Sequence, residues 1–339
     1  MTPTYSIVNY GPDGTINDRT EAFKGRLLSM TVNDYSGMSS DSVTFVLDDA
    51  DGKLIAPDTK SSIRVNLGYE GSPLVTMGEF TVTQTTYSGW PRRLTVTATS
   101  MDMYVGLKEV MSRSFSNKTV KEIIEEIATS NVNTNEKMYE VTVGHDVADQ
   151  VVKYIAQTNE SSMNFLTRFA RDRGCVFKCT HNRIVFVTAG TGKRASGVDL
   201  DPINIDVQTG NVLDYIVSYD RRLQYNTVRA HYHDFATGLA GKIDAGSGKK
   251  PIYVMPNYLA NELEASVSAH AELHRLQRCK GQFSVNLVGN PFLMAQFPVN
   301  LTGVKKNIDE QWVVSQATHQ YIEGRGYTTR IEGNIKLKL

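Results

Sequence analysis

Part of this sequence is written twice. Leu28, Met30, Val32 and Val43 fall on Leu213, Tyr215, Val217 and Val228, all at a separation of 185 residues. Pro57, Ile63 and Val65-Asn66-Leu67 fall on Pro291, Phe297 and Val299-Asn300-Leu301 at a separation of 234, and EFTVTQTT (79–86) falls on QWVVSQAT (311–318) at 232. Three blocks recur in one order with the side-chain alternation kept, which predicts two copies of one unit. The separation grows by 49 between the first and second blocks, so the second copy is expected to carry an insertion there.

Each copy reads as β. SIRVNLGY puts Ile63, Val65 and Leu67 on one face, and RLTVTATS does the same with Leu94, Val96 and Ala98. The turn-forming stretches DDADGK (48–53) and SGWP (88–91) separate the strands. The texture between the copies differs. In NKTVKEIIEEIATS, Thr119 and Glu122 form a capping box ahead of Val120, Ile123, Ile124 and Ile127 at helical spacing.

A second helix is predicted in QTNESSMNFLTRFARDRGCVF (157–177). Ser161 or Ser162 caps it, Met163, Leu166, Phe169 and Ala170 form its stripe, and Gly174 stands at its left-handed end. CVFKC and RIVFVT then read as a hairpin turning at THN. Farther on, ATGLAGKIDAGSGKKP reads as a flexible Gly-rich connection to a long helix over about 257–280, ending at Gly281.

The expected fold is mainly β with α+β parts: two similar β-barrel domains flanking a small α/β domain. Its boundaries are 1–105 for the first barrel, 106–205 for the middle domain, and 206–339 for the second barrel with a helical insertion at about 235–284. A chain of 339 residues is long enough for three cores.

Charge excludes one function class. Lys and Arg total 36, as do Asp and Glu, whereas a nucleic-acid binder carries a basic excess to displace counterions from phosphate. The basic pairs Arg92-Arg93, Arg221-Arg222, Lys249-Lys250 and Lys305-Lys306 are scattered and read as solvated faces. The start, MTPTYSIVNYGPDG, has no basic head followed by an apolar run, and no run of about 18 apolar residues occurs, so neither export signal nor membrane segment is expected. Three cysteines make no disulfide framework and fit a reducing compartment.

Candidate chemistry fails on spacing. HAELH sets His270 and His274 one turn apart as in a zinc-protease helix, but Glu272 does not follow the first His directly and turns to the opposite face; Cys279 adds little. Cys175 with Cys179, and His231 with His233, share strand faces without a four-ligand set. GTGK (190–193) and GSGK (246–249) lack the earlier Gly of a phosphate loop, and Arg194 and Lys250 stand where Ser or Thr would hold magnesium. Glu122, Glu125 and Glu126 read as the wet side of a helix, and no G-x-S-x-G elbow occurs. No catalytic, cofactor-binding or metal residue is assigned, and no cofactor is expected.

Gln157, Glu160-Ser161, Phe165-Leu166, Arg168 and Gly174 resemble the Q-x-x-E-S…F-L-x-R…G line of the late control protein D family, baseplate hubs of contractile-tailed phages and tailocins related to type VI secretion spike hubs. The segments 27–54, 67–82 and 289–329 are similar to the start and end of that family. The resemblance implies two tube-type barrels, a middle domain and a homotrimer. It further implies an adaptor between a hexameric tail tube protein and a trimeric central spike protein, with other baseplate proteins as neighbours. The expected location is the tail baseplate of a virion or tailocin, after synthesis in the host cytoplasm. A tail-associated peptidoglycan hydrolase or a carbohydrate-binding module are the alternatives.

Overall fold

Alternation decides the strands. The computed structural model describes residues 2–10, 15–37, 39–57, 61–100, 106–131, 139–180, 183–234, 237–305 and 311–337. The first set comprises β1 (Pro3–Tyr10), β2 (Ile16–Asp18), the short α1 (Thr20–Phe23), β3 (Leu27–Tyr35), β4 (Ser42–Asp48), β5 (Ser62–Tyr69), β6 (Val75–Ser88) and β7 (Arg93–Thr99). Ile63, Val65 and Leu67, and Leu94, Val96 and Ala98, are all buried, as their spacing predicts. The strands run in the order β3-β4-β7-β6-β5-β1-β2. Ile7 of β1 and Met30 of β3 stand far apart in that order yet share one core with Phe45, Val65 and Val96, so the sheet is rolled on itself. The gap is bridged through α1, where Thr20 Oγ1 accepts from Ile7 N at 3.0 Å. It is a rolled sheet without a strand ladder across that gap among the described residues.

The middle unit comprises β8 (Val110–Thr119), α2 (Val120–Ser130), β9 (Glu140–Val143), β10 (Val151–Ser161), α3 (Ser162–Asp172), β11 (Cys175–Thr180) and β12 (Arg183–Thr188). The capping box at Thr119 is made in both directions, and Ser161 is the residue that caps α3, accepting from Asn164 N at 3.2 Å. β11 and β12 form the expected hairpin, whose His181 and Asn182 lie outside the described residues. β9 adds to β12 in parallel. Phe115, Ile124, Phe165, Phe169 and Phe186 close one core between helices and strands.

The last region comprises β13 (Ile203–Asp206), β14 (Val212–Tyr219), β15 (Thr227–Asp234), β16 (Leu239–Gly246), β17 (Ile252–Leu259), α4 (Glu262–Cys279), β18 (Gly281–Val288), β19 (Pro298–Thr302), β20 (Gln311–Ile322) and β21 (Gly326–Ile335). Six of these strands pair in the order β14-β18-β21-β20-β19-β13. That order repeats β3-β4-β7-β6-β5-β1 strand for strand; only the sixth differs, β13 running parallel to its neighbour where β1 runs antiparallel.

The bulges repeat as well. The β3–β4 ladder skips Leu28 and the β14–β18 ladder skips Leu213; the β6–β7 ladder skips Thr83 and the β20–β21 ladder skips Ser315. A bulge re-aims every side chain beyond it, so bulges at matching positions mean matching inward faces.

The match of Val43 with Val228 is corrected by this pairing. Val43 faces Val32 and Ala98, and the residue facing Val217 and Gly333 in the second copy is Phe283 of β18. The insertion therefore follows the first strand of the copy, and β15 inside it carries a similar valine alternation. The exchange of Val43 and Ala98 for Phe283 and Gly333 conserves volume: a Cβ on Gly333 would stand 2.5 Å from the Phe283 ring.

The insertion is not helical alone, and it begins earlier than 235. β15, β16 and β17 form a three-stranded sheet of their own under α4, between β14 and β18. Half of the expected Gly-rich connection, Leu239–Gly246, is β16, and the helix starts at Glu262 because 252–259 is β17. Gly241, Ile243 and Ala245 alternate toward the helix, and small residues on both sides, Ala245 against Ala265 and Ala269, let sheet and helix approach closely. The expected boundary at 205/206 also falls inside β13, whose Ile205 packs in the second rolled sheet.

Candidate functional site

Positioning starts in the middle unit. Gln157 is fully buried; it accepts from Arg113 Nε at 2.8 Å and donates to Glu160 O at 2.8 Å, while Arg113 Nη2 reaches Ser162 Oγ at 3.0 Å. Glu160 pairs with Arg168, which also donates to Ala156 O at 3.0 Å. Phe165 and Leu166 are core, and Gly174 has φ +65° where a Cβ would meet the α4 backbone at Ala271, 3.2 Å away. Every member of the Q-x-x-E-S…F-L-x-R…G line thus has a structural task, fixing α3 against β8, β10 and α4.

The rolled sheets join directly. The second half of β20, Gln316–Ile322, runs antiparallel to β3, Tyr35–Ser29, so both copies belong to one 13-stranded sheet. Thr318 Oγ1 donates to Asn33 Oδ1 at 2.9 Å, the Tyr5 and Tyr321 rings meet edge-on at 5.1 Å, and Tyr69 Oη donates to Gly289 O at 2.7 Å.

Asp34 is the node where all three regions meet. Its Oδ1 accepts from Lys178 Nζ of β11 at 2.7 Å, and its Oδ2 accepts from Ala295 N, before β19, at 2.8 Å. Lys178 also lies 2.9 Å from Asp41, which accepts from Tyr35 N at 3.0 Å. Burial pushes the Asp41 carboxyl up to about 6, against the pull of Lys178 and with the help of Asp34. Burial works against the charge of Lys178 too, but Asp34 and Asp41 outweigh it and hold the amine above its ordinary range. A raised carboxyl is a stabilising term at low pH that disappears as pH rises through about 6.

His319 lies beneath the joint opposite Val32, each 1% exposed. Leu293 O, 3.0 Å from Nε2, can only accept, which assigns the proton to Nε2 and leaves Nδ1 to accept from Tyr327 Oη at 2.7 Å. Burial presses its pKa down to about 4, against the pull of Asp34 and the Leu293 carbonyl. The sign is opposite to that of Asp41: stability from neutral His319 is present above the unfolded value and is lost as pH falls. From about pH 6.5 to 4 the loss amounts to roughly 3 kcal/mol. The expected result is that His319→Gln flattens the fall in thermal midpoint between pH 7 and pH 5, read by calorimetry on both proteins.

The candidate ligand residues are scattered. His270 returns Nδ1 to its own helix at Ser266 O, 2.8 Å, and its ring is 6.5 Å from that of His274, whose pKa is lowered by burial. Cys175 and Cys179 lie in the middle core, and burial pushes the Cys175 thiol up to about 12, far from a metal-binding thiolate. The His231 ring of β15 lies 5.6 Å from that of Tyr258, tilted by 38°, and Cys279 is the last residue of α4. Glu122 caps α2, Glu125 pairs with Lys121 and Glu126 with Lys118, and Glu272 pairs with Arg275 at 2.7 Å. Gly190 to Lys193 follow β12 and bond the 337 amide, while Gly246 to Lys249 turn between β16 and β17. Lys306 lies outside the described residues. Among the described residues no three His, Cys, Asp or Glu converge as a metal set.

Asp34, Asp41, Lys178, His319 and Tyr321 escaped the sequence reading. A signal was present for the histidine and tyrosine: Ala317, His319 and Tyr321 continue the inward alternation of β20 past the bulge, placing a titratable ring at a core position.

The phage tail baseplate hub (GPD) family matches residues 41–324. The probable baseplate hub protein of Escherichia phage 186 is 28% identical, with 94% of this chain and 91% of the relative covered. That of Escherichia phage P2 is 27% identical, with 99% and 94% covered. Among solved structures, a tail protein from Neisseria meningitidis MC58 has the same fold at a TM-score of 0.68 and 12% identity, over 98% of this chain and 96% of that one. An E. coli component of the type VI secretion system has a TM-score of 0.55 at 13% identity, over 92% and 74%.

Proposed function

Because this chain belongs to the phage tail baseplate hub (GPD) family, we propose that it is a homotrimeric adaptor, joining the hexameric tube of a contractile tail to its trimeric central spike. The family is one of structural baseplate proteins rather than enzymes, which sets aside the hydrolase alternative. No helix among the described residues is long and apolar enough to cross a membrane.

The observation that carries the reading is the repeated strand order with its repeated bulges. Two look-alike units per chain make six when three chains surround an axis, so a three-fold body offers a nearly six-fold face. A tube of six subunits meets such a face without a mismatch, and a spike of three chains meets its underlying symmetry. The proposed units are a first barrel over 1–105, a middle unit from 106 to the residues leading into β13, and a second barrel from β13 onward. Each has its own core, and the sheet inserted between β14 and β18 has a fourth. The proposed place is the tail baseplate of a virion or tailocin, after synthesis in the bacterial cytoplasm and beside other baseplate proteins.

Sedimentation of the full chain at micromolar concentration, alone and with spike protein, tests this. The expected species has three chain masses. A monomer under both conditions overturns the proposal.

A further inference from the structure

Buried cations in this protein are answered by partners, and Arg278 is not. Arg113 donates to Gln157, Ser130 and Ser162, Arg173 pairs with Glu264, and Lys178 lies between Asp34 and Asp41. Arg278, in the last turn of α4, has neither an ion pair nor a side-chain hydrogen bond among the described residues, and its Nε is shut off from solvent. Burial presses its pKa down; the groups working the other way are the Cys279 and Cys175 thiols, and Cys175 keeps its proton at neutral pH. The end of α4 favours a cation in its last turn but does not require the guanidinium to be buried. A buried charge without its complement is costly, which makes it a mark of a place where a ligand completes the structure.

Arg278 borders a cleft of about 750 Å³ where the three regions meet: the Ser36–Gly37 turn of the first copy, α3 and β11 of the middle unit, and β17 and α4 of the insertion. Gly190 of the GTGK stretch makes room for the guanidinium, since a Cβ there would stand 2.9 Å from Nη1. The charges around the cleft do not balance. Arg275 donates to both oxygens of Glu272, at 2.8 Å from Nε and 2.7 Å from Nη2, and Arg171 lies 3.6 Å from Asp172. One positive charge, on Arg278, is left over. Phe177 of β11 and Met255, Pro256 and Leu259 of β17 give the same cleft an apolar wall.

We propose that the cleft binds a monocarboxylate with a short apolar body, its head paired with Arg278 and its body along the β17 wall. One unbalanced positive charge asks for one negative charge, and a planar carboxylate can take two parallel N–H bonds from a guanidinium fork. A cleft of this volume takes a small molecule rather than a bare oxyanion, and its apolar wall suits the rest of that molecule. An acyl chain and the C-terminal residue of a peptide share this chemistry. The site is built within one chain and does not depend on the trimeric reading.

Thermal midpoints of the full chain at fixed ionic strength test this with two matched pairs. Hexanoate against hexanamide stands for the acyl source, and N-acetyl-leucine against N-acetyl-leucinamide for the peptide source. In a titration carried to about five times Kd, at least one carboxylate is expected to raise the midpoint by about 2 °C, with no rise from its amide and none in Arg278→Met. The pair that gives the larger rise identifies the source. Unliganded Arg278→Met is expected to melt no lower than the wild type, because it removes a charge that nothing in the chain answers. Neither carboxylate exceeding its amide, or a rise that persists in Arg278→Met, overturns the proposal. So does an unliganded Arg278→Met that melts well below the wild type or fails to fold, since the guanidinium would then be bracing the fold.

Discussion

Lys178→Met is expected to destabilise the protein by about 3–5 kcal/mol at neutral pH, because it leaves the half-buried Asp34 and the buried Asp41 carboxylates facing each other without their cation. The new side chain fills the stem of the old one, so the loss is electrostatic. Two further results separate this from a packing defect. The deficit shrinks as pH falls through the range where Asp41 already takes up a proton, about 6 in the wild type. Adding Asp41→Asn to Lys178→Met recovers part of it at pH 7. Urea midpoints of the three proteins at pH 7 and pH 5 supply the comparison, and an equal deficit at both pH values would refute the electrostatic account. Since Asp34 also holds the Ala295 amide, the same variant is expected to loosen the joint between the rolled sheets.

Glu264→Leu is expected to cost a similar ~3–5 kcal/mol, and more than Arg173→Met. Arg173 follows α3, is 3% exposed along its side chain, and donates from Nη2 to both oxygens of Glu264 at 2.9 and 3.0 Å while lying 4.1 Å over the Phe169 ring. Burial presses its pKa down, so a guanidinium deprived of Glu264 retains little besides the ring face. The reverse deletion is milder. Glu264 stands in the first turn of α4, three residues after its N-cap Asn261, where the unpaired amides of the helix end favour a negative charge. The measurement is the ordering of the two thermal midpoints, and Arg173→Met melting below Glu264→Leu would contradict it.

Features formed within a few residues were legible in the sequence. Thr119 and Ser161 cap the helices assigned to them, and the inward residues of β5 and β7 are the ones their alternation names. The repeat was legible too, since bulges at Leu28 and Leu213 and at Thr83 and Ser315 fall at the separations the sequence shows. β16 was misread for a definable reason. Glycine and alanine carry little hydrophobic signal, yet small size at Ala245 is what allows the sheet to meet α4, and a Cβ on Gly241 would stand 2.6 Å from the Tyr232 hydroxyl on the neighbouring strand.

By itself the sequence determined the faces of strands, the ends of helices and the existence of two copies, because periodicity and capping act over one or two turns of chain. Tertiary structure alone decided that β18 and not β15 answers β4, that β3 continues into β20, and that Lys178 sits between Asp34 and Asp41. Those partners are more than sixty residues apart along the chain, and any exposed strand or free charge offers the same hydrogen bonds locally. Which ones meet is fixed only when the cores close and each buried edge and charge must find its complement.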